Sequence, residues 1–316
     1  MVVMAVSLIG CASGAGTAGN VRSPAIRNDT CEGGPNGCFR LGLRYADGTG
    51  VPKDEARALV LFRQACEGGD ADGCYFLGRA YDKGLLGLAQ DGLAAISMFD
   101  RACTGRNAFA CFVLGNRYRE GRGVAMDKAR ALGLLNVACN GREGAGCTLL
   151  GYMFESGDGV AKDAGRAAAL FKNACDLSDA EACIKLAEMY QNGRGVPKDE
   201  VRAVAVLKRT CDRGSGMACV ALGSRYLSGS AAVKDVPRGL SLWKDTCDSG
   251  QPDGSVACFF LGAKYLSGDG VAKDEGRAAE LFKQACRHEH SKGCAAVREM
   301  QRQCCGSRAS DEPNDK

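Results

Sequence analysis

Histidine is nearly absent from this chain of 316 residues: His288 and His290, near the C-terminal end, are the only two. Side chains that change charge near neutral pH are therefore scarce, which argues against histidine acid–base catalysis and against a histidine-rich metal centre. Tryptophan occurs once and proline seven times. Neither sign of charge is in surplus, since 41 basic and 37 acidic residues, interspersed, leave a formal net charge of +4. That balance gives no footprint for nucleic acid or an acidic polymer. After the apolar N-terminal stretch, no run approaches the roughly 20 apolar residues of a membrane span. The remaining composition, 46% apolar and 25% charged, is that of an ordinary folded protein.

Cysteine is what the chain has in excess, with nineteen. So many thiols do not suit a reducing compartment unless a metal holds them. Sixteen fall into eight pairs: Cys31/Cys38, Cys66/Cys74, Cys103/Cys111, Cys139/Cys147, Cys175/Cys183, Cys211/Cys219, Cys247/Cys258 and Cys286/Cys294. Cys11, Cys304 and Cys305 are left over. The first members step forward by 35, 37, 36, 36, 36, 36 and 39 residues. A period near 36 marks a helical repeat array, so the two ordinary domains that length alone suggests are replaced by one solenoid.

Each period holds two helical patterns. The first starts at the second cysteine of a pair and reads Cys, Leu, Gly and an aromatic at offsets 0, 3, 4 and 7, as in Cys111, Leu114, Gly115 and Tyr118. Those offsets share one helix face. A glycine inside a helix costs about 1 kcal/mol against alanine, so its recurrence at one register predicts a close approach by a neighbouring helix. A further glycine ten residues past the cysteine (Gly48, Gly84, Gly121, Gly157, Gly193, Gly229, Gly268) predicts a C-terminal stop. The second pattern ends at the first cysteine of the next pair. Twelve residues before that cysteine stands an aspartate in all seven cases, Asp54, Asp91, Asp127, Asp163, Asp199, Asp235 and Asp274, which predicts an N-cap. Residues such as Ala167, Leu170, Phe171 and Ala174 then form its core face.

Each cysteine pair thus sits where one helix ends and the next begins, where two backbones converge enough for a disulfide. Closing a loop of about nine residues restricts the unfolded chain by about 2.5 kcal/mol in the chain-entropy account. Zinc is the competing reading. It fits less well, because four-cysteine zinc sites bring ligands two to four residues apart within each half.

The run "CFFLGAKYLSGDGVAKDEGRAAELFKQAC", residues 258 to 286, resembles the SEL-one-like repeat, a relative of the tetratricopeptide repeat, as does "CIKLAEMYQNGRGVPKDEVRAVAVLKRTC", residues 183 to 211. With the regular cysteine pairs, the chain is similar to the secreted Hcp-type cysteine-rich proteins. The resemblance spans residues 31–303. It departs at "GLLGLAQ" after Lys83, at "GSAAVKDV" in the unit from Cys219, at "QPDGSV" between Cys247 and Cys258, and in the last helix, where Val297, Arg298 and Gln301 replace the motif and suit a polar terminal cap. The resemblance implies an all-α, right-handed superhelical solenoid of about seven αα hairpins that serves as a binding scaffold. It also implies, as the alternative, a weak β-lactamase or penicillin-binding activity. No cofactor or metal is expected.

The N-terminus, "MVVMAVSLIGCASG", resembles a bacterial lipobox, with Leu8-Ile9-Gly10 before a lipidated Cys11. Residues 1–10 then read as a signal segment, 11–30 as a lipidated tether, and 304–316 as a disordered tail. Export to the cell envelope, periplasm-facing or at the surface, with membrane contact through the lipid alone, follows. Cys304 and Cys305 could pair with each other or join chains.

Candidate site residues are few. Ser241-x-x-Lys244 has the spacing of serine β-lactamases, but Glu280 and Lys283 fill the same positions in a sister repeat, and no Ser-Asp-Asn or Lys-Thr-Gly accompanies it. His288 and His290 fall in a disulfide loop and read as solvent-exposed. Trp243 stands where Phe171 and Phe282 stand and reads as packing. For binding a protein or peptide, the first helix of each unit is expected to line the concave face. Six positions past its cysteine come Arg44, Ala80, Arg117, Met153, Met189, Arg225 and Lys264. The four basic residues, Arg44, Arg117, Arg225 and Lys264, form a candidate row for a ligand's carboxylates, against the simpler reading of an ordinary solvated face. The aromatics Phe39, Tyr75, Phe76, Phe112, Phe259 and Phe260 could line that groove or pack between repeats, and packing is the favoured reading.

Overall fold

The structure is a computed structural model. It describes residues 31–230, 232–250 and 253–308, with side chains up to residue 302. Every described element is a helix: α1 (Gly34–Asp47), α2 (Glu55–Glu67), α3 (Ala71–Lys83), α4 (Gly92–Thr104), α5 (Ala108–Glu120), α6 (Lys128–Asn140), α7 (Gly144–Ser156), α8 (Ala164–Asp176), α9 (Ala180–Asn192), α10 (Glu200–Asp212), α11 (Gly216–Ser228), α12 (Val236–Asp248), α13 (Gly254–Ser267), α14 (Glu275–Arg287) and α15 (Ser291–Arg308). None of them is long and apolar enough to cross a membrane.

The ends of these helices are set by the residues that recur. Asp54, Asp91, Asp127, Asp163, Asp199, Asp235 and Asp274 each cap an even-numbered helix. Their carboxylates accept from the backbone N–H three residues on, at 2.8–3.1 Å. The backbone N–H of each same aspartate donates to the carbonyl of the aromatic that ends the preceding helix's motif, Tyr45, Tyr81, Tyr118, Phe154, Tyr190, Tyr226 or Tyr265, at 2.8–2.9 Å. One residue therefore starts a helix and closes the turn that leads to it.

The odd-numbered helices begin before their cysteine, not at it, because Asp70, Asn107, Glu143, Asp179 and Ser215 supply N-caps of their own. At their other ends, Gly48, Gly84, Gly121, Gly157, Gly193 and Gly268 adopt the left-handed conformation that only glycine takes without strain. Gly229 departs from the expected stop. Its backbone is extended, with φ −69° and ψ 172°. In that unit "GSAAVKDV" replaces the usual turn, and the N–H groups of Val233 and Lys234 bond to the carbonyl of Ser230 instead.

Within each unit the two helices meet glycine against a large side chain. Gly42, Gly78, Gly151 and Gly262 face the buried rings of Phe62, Phe99, Phe171 and Phe282, Gly115 faces Leu135, and Gly223 faces Trp243. A Cβ on Gly151 would lie 2.9 Å from the Phe171 ring. The fifth unit carries Ala187, and there the shorter Leu207 stands at the ring position, both buried in one cluster. Trp243 is packing, as expected: it is buried, stacks on Phe260 at 5.4 Å, and its indole N–H donates to the carbonyl of Val220 at 2.9 Å.

All eight cysteine pairs stand at disulfide distance, with Cα–Cα separations of 4.4–4.8 Å. Seven join an even-numbered helix to the next odd-numbered one, and Cys31–Cys38 ties α1 to the segment that leads into it. The core is accordingly a row of small clusters, one after another along the array, in which the cysteines themselves are members.

At the C-terminal end α15 stays helical to Arg308, beyond the boundary at 303 expected for the cap. Residues 1–30, with Cys11 and the tether, and 309–316 lie outside the described residues, as do the side chains of Cys304 and Cys305.

Candidate binding surface

Which helices face inward follows from their spacing. The pairs α1 and α3, α5 and α7, α9 and α11, and α11 and α13 touch directly, and no even-numbered pair is packed to that extent. Elements on the inside of a curved array lie closer together than those outside. The odd-numbered helices are therefore the inner layer.

Two neighbouring cavities open on this layer. One, of about 240 Å³, lies among α5, α7 and the start of α9, walled by Phe112, Leu149 and Tyr152, with Asn116 and Arg119 on one side and Asp179 and Glu181 on the other. The other, of about 170 Å³, lies between α9 and α11, lined by Ile184, Glu188, Ala221, Ser224 and Arg225 among others. The apolar walls of the first cavity, Phe112, Leu149 and Tyr152, come from one, two and five positions past the cysteine of their helix. Packing fixes them: the Tyr152 ring meets the buried Phe171 edge-on at 5.1 Å, and its hydroxyl donates to Glu181 at 2.7 Å. Burial, and then Glu181, push the Tyr152 phenol well above its usual range. Arg119 is held by Asn116 at 2.9 and 3.1 Å, and Lys185 by Glu188 at 2.9 Å.

The aromatics play both roles considered for them. Phe39, Phe62, Phe76, Tyr75, Phe99, Phe109 and Phe112 form a ladder of ring contacts at 5.2–6.0 Å that runs through the first three units, and Phe112 ends that ladder in the cavity wall.

The basic row does not form an exposed stripe. Ala80, Met153 and Met189, at the same register, are fully buried. Arg117 pairs with Asp82 of the preceding unit and lies over the Phe99 ring at 5.5 Å. Lys264 pairs with Asp269, and Arg44 donates to the carbonyl of Thr49 at 3.2 Å. Arg225 lines the second cavity. The physical reason is position along the helix. The sixth residue past the cysteine lies in the last turn, where its carbonyl accepts from the glycine stop. A cation there complements the negative end of the helix dipole.

A second basic row escaped the sequence reading. Arg57, Arg130, Arg166, Arg202, Arg238 and Arg277, three residues past the capping aspartate, lie over the motif aromatics Tyr45, Tyr118, Phe154, Tyr190, Tyr226 and Tyr265 at 4.4–6.0 Å. The signal was present as an arginine at one offset in six units of seven. The exception is Ala94, in the unit that also carries "GLLGLAQ".

Ser241 and Lys244 are both exposed on α12. Ser241 lies 3.5 Å from Asp245, and Lys244 pairs with Asp248 at 2.8 Å, which raises the lysine's pKa, the wrong direction for a general base. His290 is a structural residue, half-buried against Phe259. Its Nδ1 accepts from the N–H of Gly293 at 3.1 Å and so caps α15. Burial, and then Lys292, lower its pKa below 6.5. The neutral ring is the form the fold favours, so its contribution is complete above the unfolded value and is lost as pH falls through the folded one. Wild type should lose about 1 kcal/mol more than His290→Asn, whose cap does not titrate, between pH 7.5 and pH 5. Urea melts at both pH values measure this, and parallel losses would count against the cap.

Seven segments of the chain match the Sel1 repeat: residues 35–70, 71–107, 108–141, 144–179, 180–215, 216–250 and 255–290. Comparison with curated proteins gives no match. Among solved structures, the chain is similar to c5321, a protective antigen of uropathogenic Escherichia coli displaying an SLR fold, with 25% identity, a TM-score of 0.70, and coverage of 86% of this chain and 58% of that one. This chain thus spans little more than half of that relative's length. It is also similar to a Sel1 repeat protein from Oxalobacter formigenes, with 24% identity, a TM-score of 0.66, and coverage of 79% and 99%. Helicobacter pylori cysteine rich protein B shares 32% identity over 41% of this chain and 93% of its own, with a TM-score of 0.35. With seven consecutive matches over most of its length, the chain belongs to the Sel1 repeat family.

Proposed function

We propose that the protein is an exported scaffold of the bacterial cell envelope that binds a protein or peptide partner along its inner helical layer, tethered to the membrane by an acyl chain on Cys11. Sel1 repeat proteins generally mediate protein–protein interaction. Eight disulfides support export, because such a set persists in an oxidising compartment. The observation that carries the binding reading is the pair of neighbouring cavities on the inner layer, concave and built from rigid helices. Capture from an envelope extract tests it. Leu149→Glu, in the wall of the first cavity, should reduce the captured partner at least tenfold, and Val60→Ser, on the outward side of α2, should leave it unchanged. The reverse pattern, or equal capture by both variants, overturns the assignment of the surface.

A further inference from the structure

The cavity among α5, α7 and α9 holds about 240 Å³, below the roughly 300–1,000 Å³ of sites that enclose a whole small molecule. It is the size for one side chain of a longer ligand. Phe112 and Tyr152 present rings to it, and Leu149 adds an apolar wall. Its charged groups are unequal in what they have left to offer. The cations on and beside it are already engaged: Arg119 is held by Asn116 and also pairs with Glu120, and Lys185 pairs with Glu188. Among the described residues neither Asp179 nor Glu181 pairs with a cation. Asp179 accepts from the N–H of Ala182 at 2.9 Å, and Glu181 accepts from the Tyr152 hydroxyl at 2.7 Å, which leaves carboxylate oxygens without a positive partner beside two aromatic rings.

We propose that this cavity receives a lysine or arginine side chain of the bound peptide, its alkyl stem against Leu149 and the rings, its charge toward Glu181 and Asp179. The assignment rests on the reading of the inner layer as the binding surface and gives that surface its polarity. Carboxylates and aromatic faces together are the surroundings that favour a cation. The Tyr152 phenol reports the same local field: after burial, what raises its pKa is Glu181, with Glu155 and Glu188 adding to it. This polarity is opposite to the one expected from the basic row, in which Arg117 and Lys264 are held in ion pairs.

The test uses the oxidised full chain and an array of immobilised random dodecapeptides. The tightest binders should share a lysine or arginine at one fixed position, and replacing it by norleucine should weaken binding at least tenfold. Glu181→Gln should bring that ratio close to one, and Glu181→Asp should keep part of it; far-UV circular dichroism and melting confirm that both variants fold. Equal affinity for the lysine and norleucine peptides, with Leu149→Glu still abolishing binding, overturns the polarity and leaves the surface standing. A lysine preference that Glu181→Gln does not touch also overturns it. Arrays that retain no peptide, or binding indifferent to Leu149→Glu, remove the surface and the polarity together.

Discussion

Full reduction of the eight disulfides should unfold most of the array at 25 °C. Each Sel1 unit here is a pair of 13- or 14-residue helices whose core is one large side chain, a glycine or alanine opposite it, and a few alanines and leucines. Small cores of this kind leave little net stability after the cost of ordering the chain. Each staple contributes about 2.5 kcal/mol by restricting the unfolded state, so the eight together exceed the 5–15 kcal/mol by which proteins are ordinarily stable. Circular dichroism in excess phosphine should show loss of most helical signal, and a reduced chain that melts like the oxidised one would falsify the disulfides as the main source of stability. The order of reduction is also set. Cys211–Cys219 and Cys286–Cys294 are half-buried, whereas Cys66–Cys74, Cys139–Cys147, Cys175–Cys183 and Cys247–Cys258 are buried. Mass spectrometry of alkylated samples under native conditions should find the first two reduced well before the other four, because the attacking thiolate or phosphine must reach the sulfur.

The second large effect is expected where α7 meets α8. Phe171 is fully buried, and Phe171→Ala should cost about 3–5 kcal/mol through lost contacts and the cavity left behind. Gly151→Ala puts a methyl 2.9 Å from that ring. Overpacking of about 1–3 kcal/mol opposes the gain of about 1 kcal/mol in helix propensity, so the single change is neutral to destabilising. Combined with Phe171→Leu it recreates the Ala187 and Leu207 pair of the fifth unit. The double variant should be more stable than the sum of the two singles predicts by about 1 kcal/mol or more, measured by urea unfolding. Strict additivity would show that the glycine is not there to admit the ring.

Seven imperfect copies in one chain act as an internal comparison, and that is why so much could be read in advance. A feature required at every junction recurs at every junction, as the paired cysteines and the capping aspartates do, and the glycine beneath Phe171 has counterparts in every unit but the fifth, which carries Ala187. Features that depend on what a neighbouring unit presents were harder to see. The basic row is uneven for this reason. Arg117 and Met153 share a register, but one meets Asp82 and the other is fully buried, and no periodicity within a unit distinguishes them. The cavity at Tyr152 was illegible for the same reason, since Phe112, Leu149 and Glu181 come from three successive units and need not repeat. The stacked arginines, by contrast, were legible as a repeated offset from the aspartate.

The doubly used aspartate at the head of every even-numbered helix has a consequence for how such a chain changes length. Its carboxylate serves the helix ahead and its N–H the helix behind, so every turn is self-sufficient. Every junction between units is in turn sealed by its own pair of sulfur atoms. A copying error that adds or removes one whole stretch of about thirty-six codons leaves each surviving joint with both of its halves. The array can thus grow or shrink by whole units, and with it the number of side-chain receptacles along its inner wall, without any joint having to be invented anew.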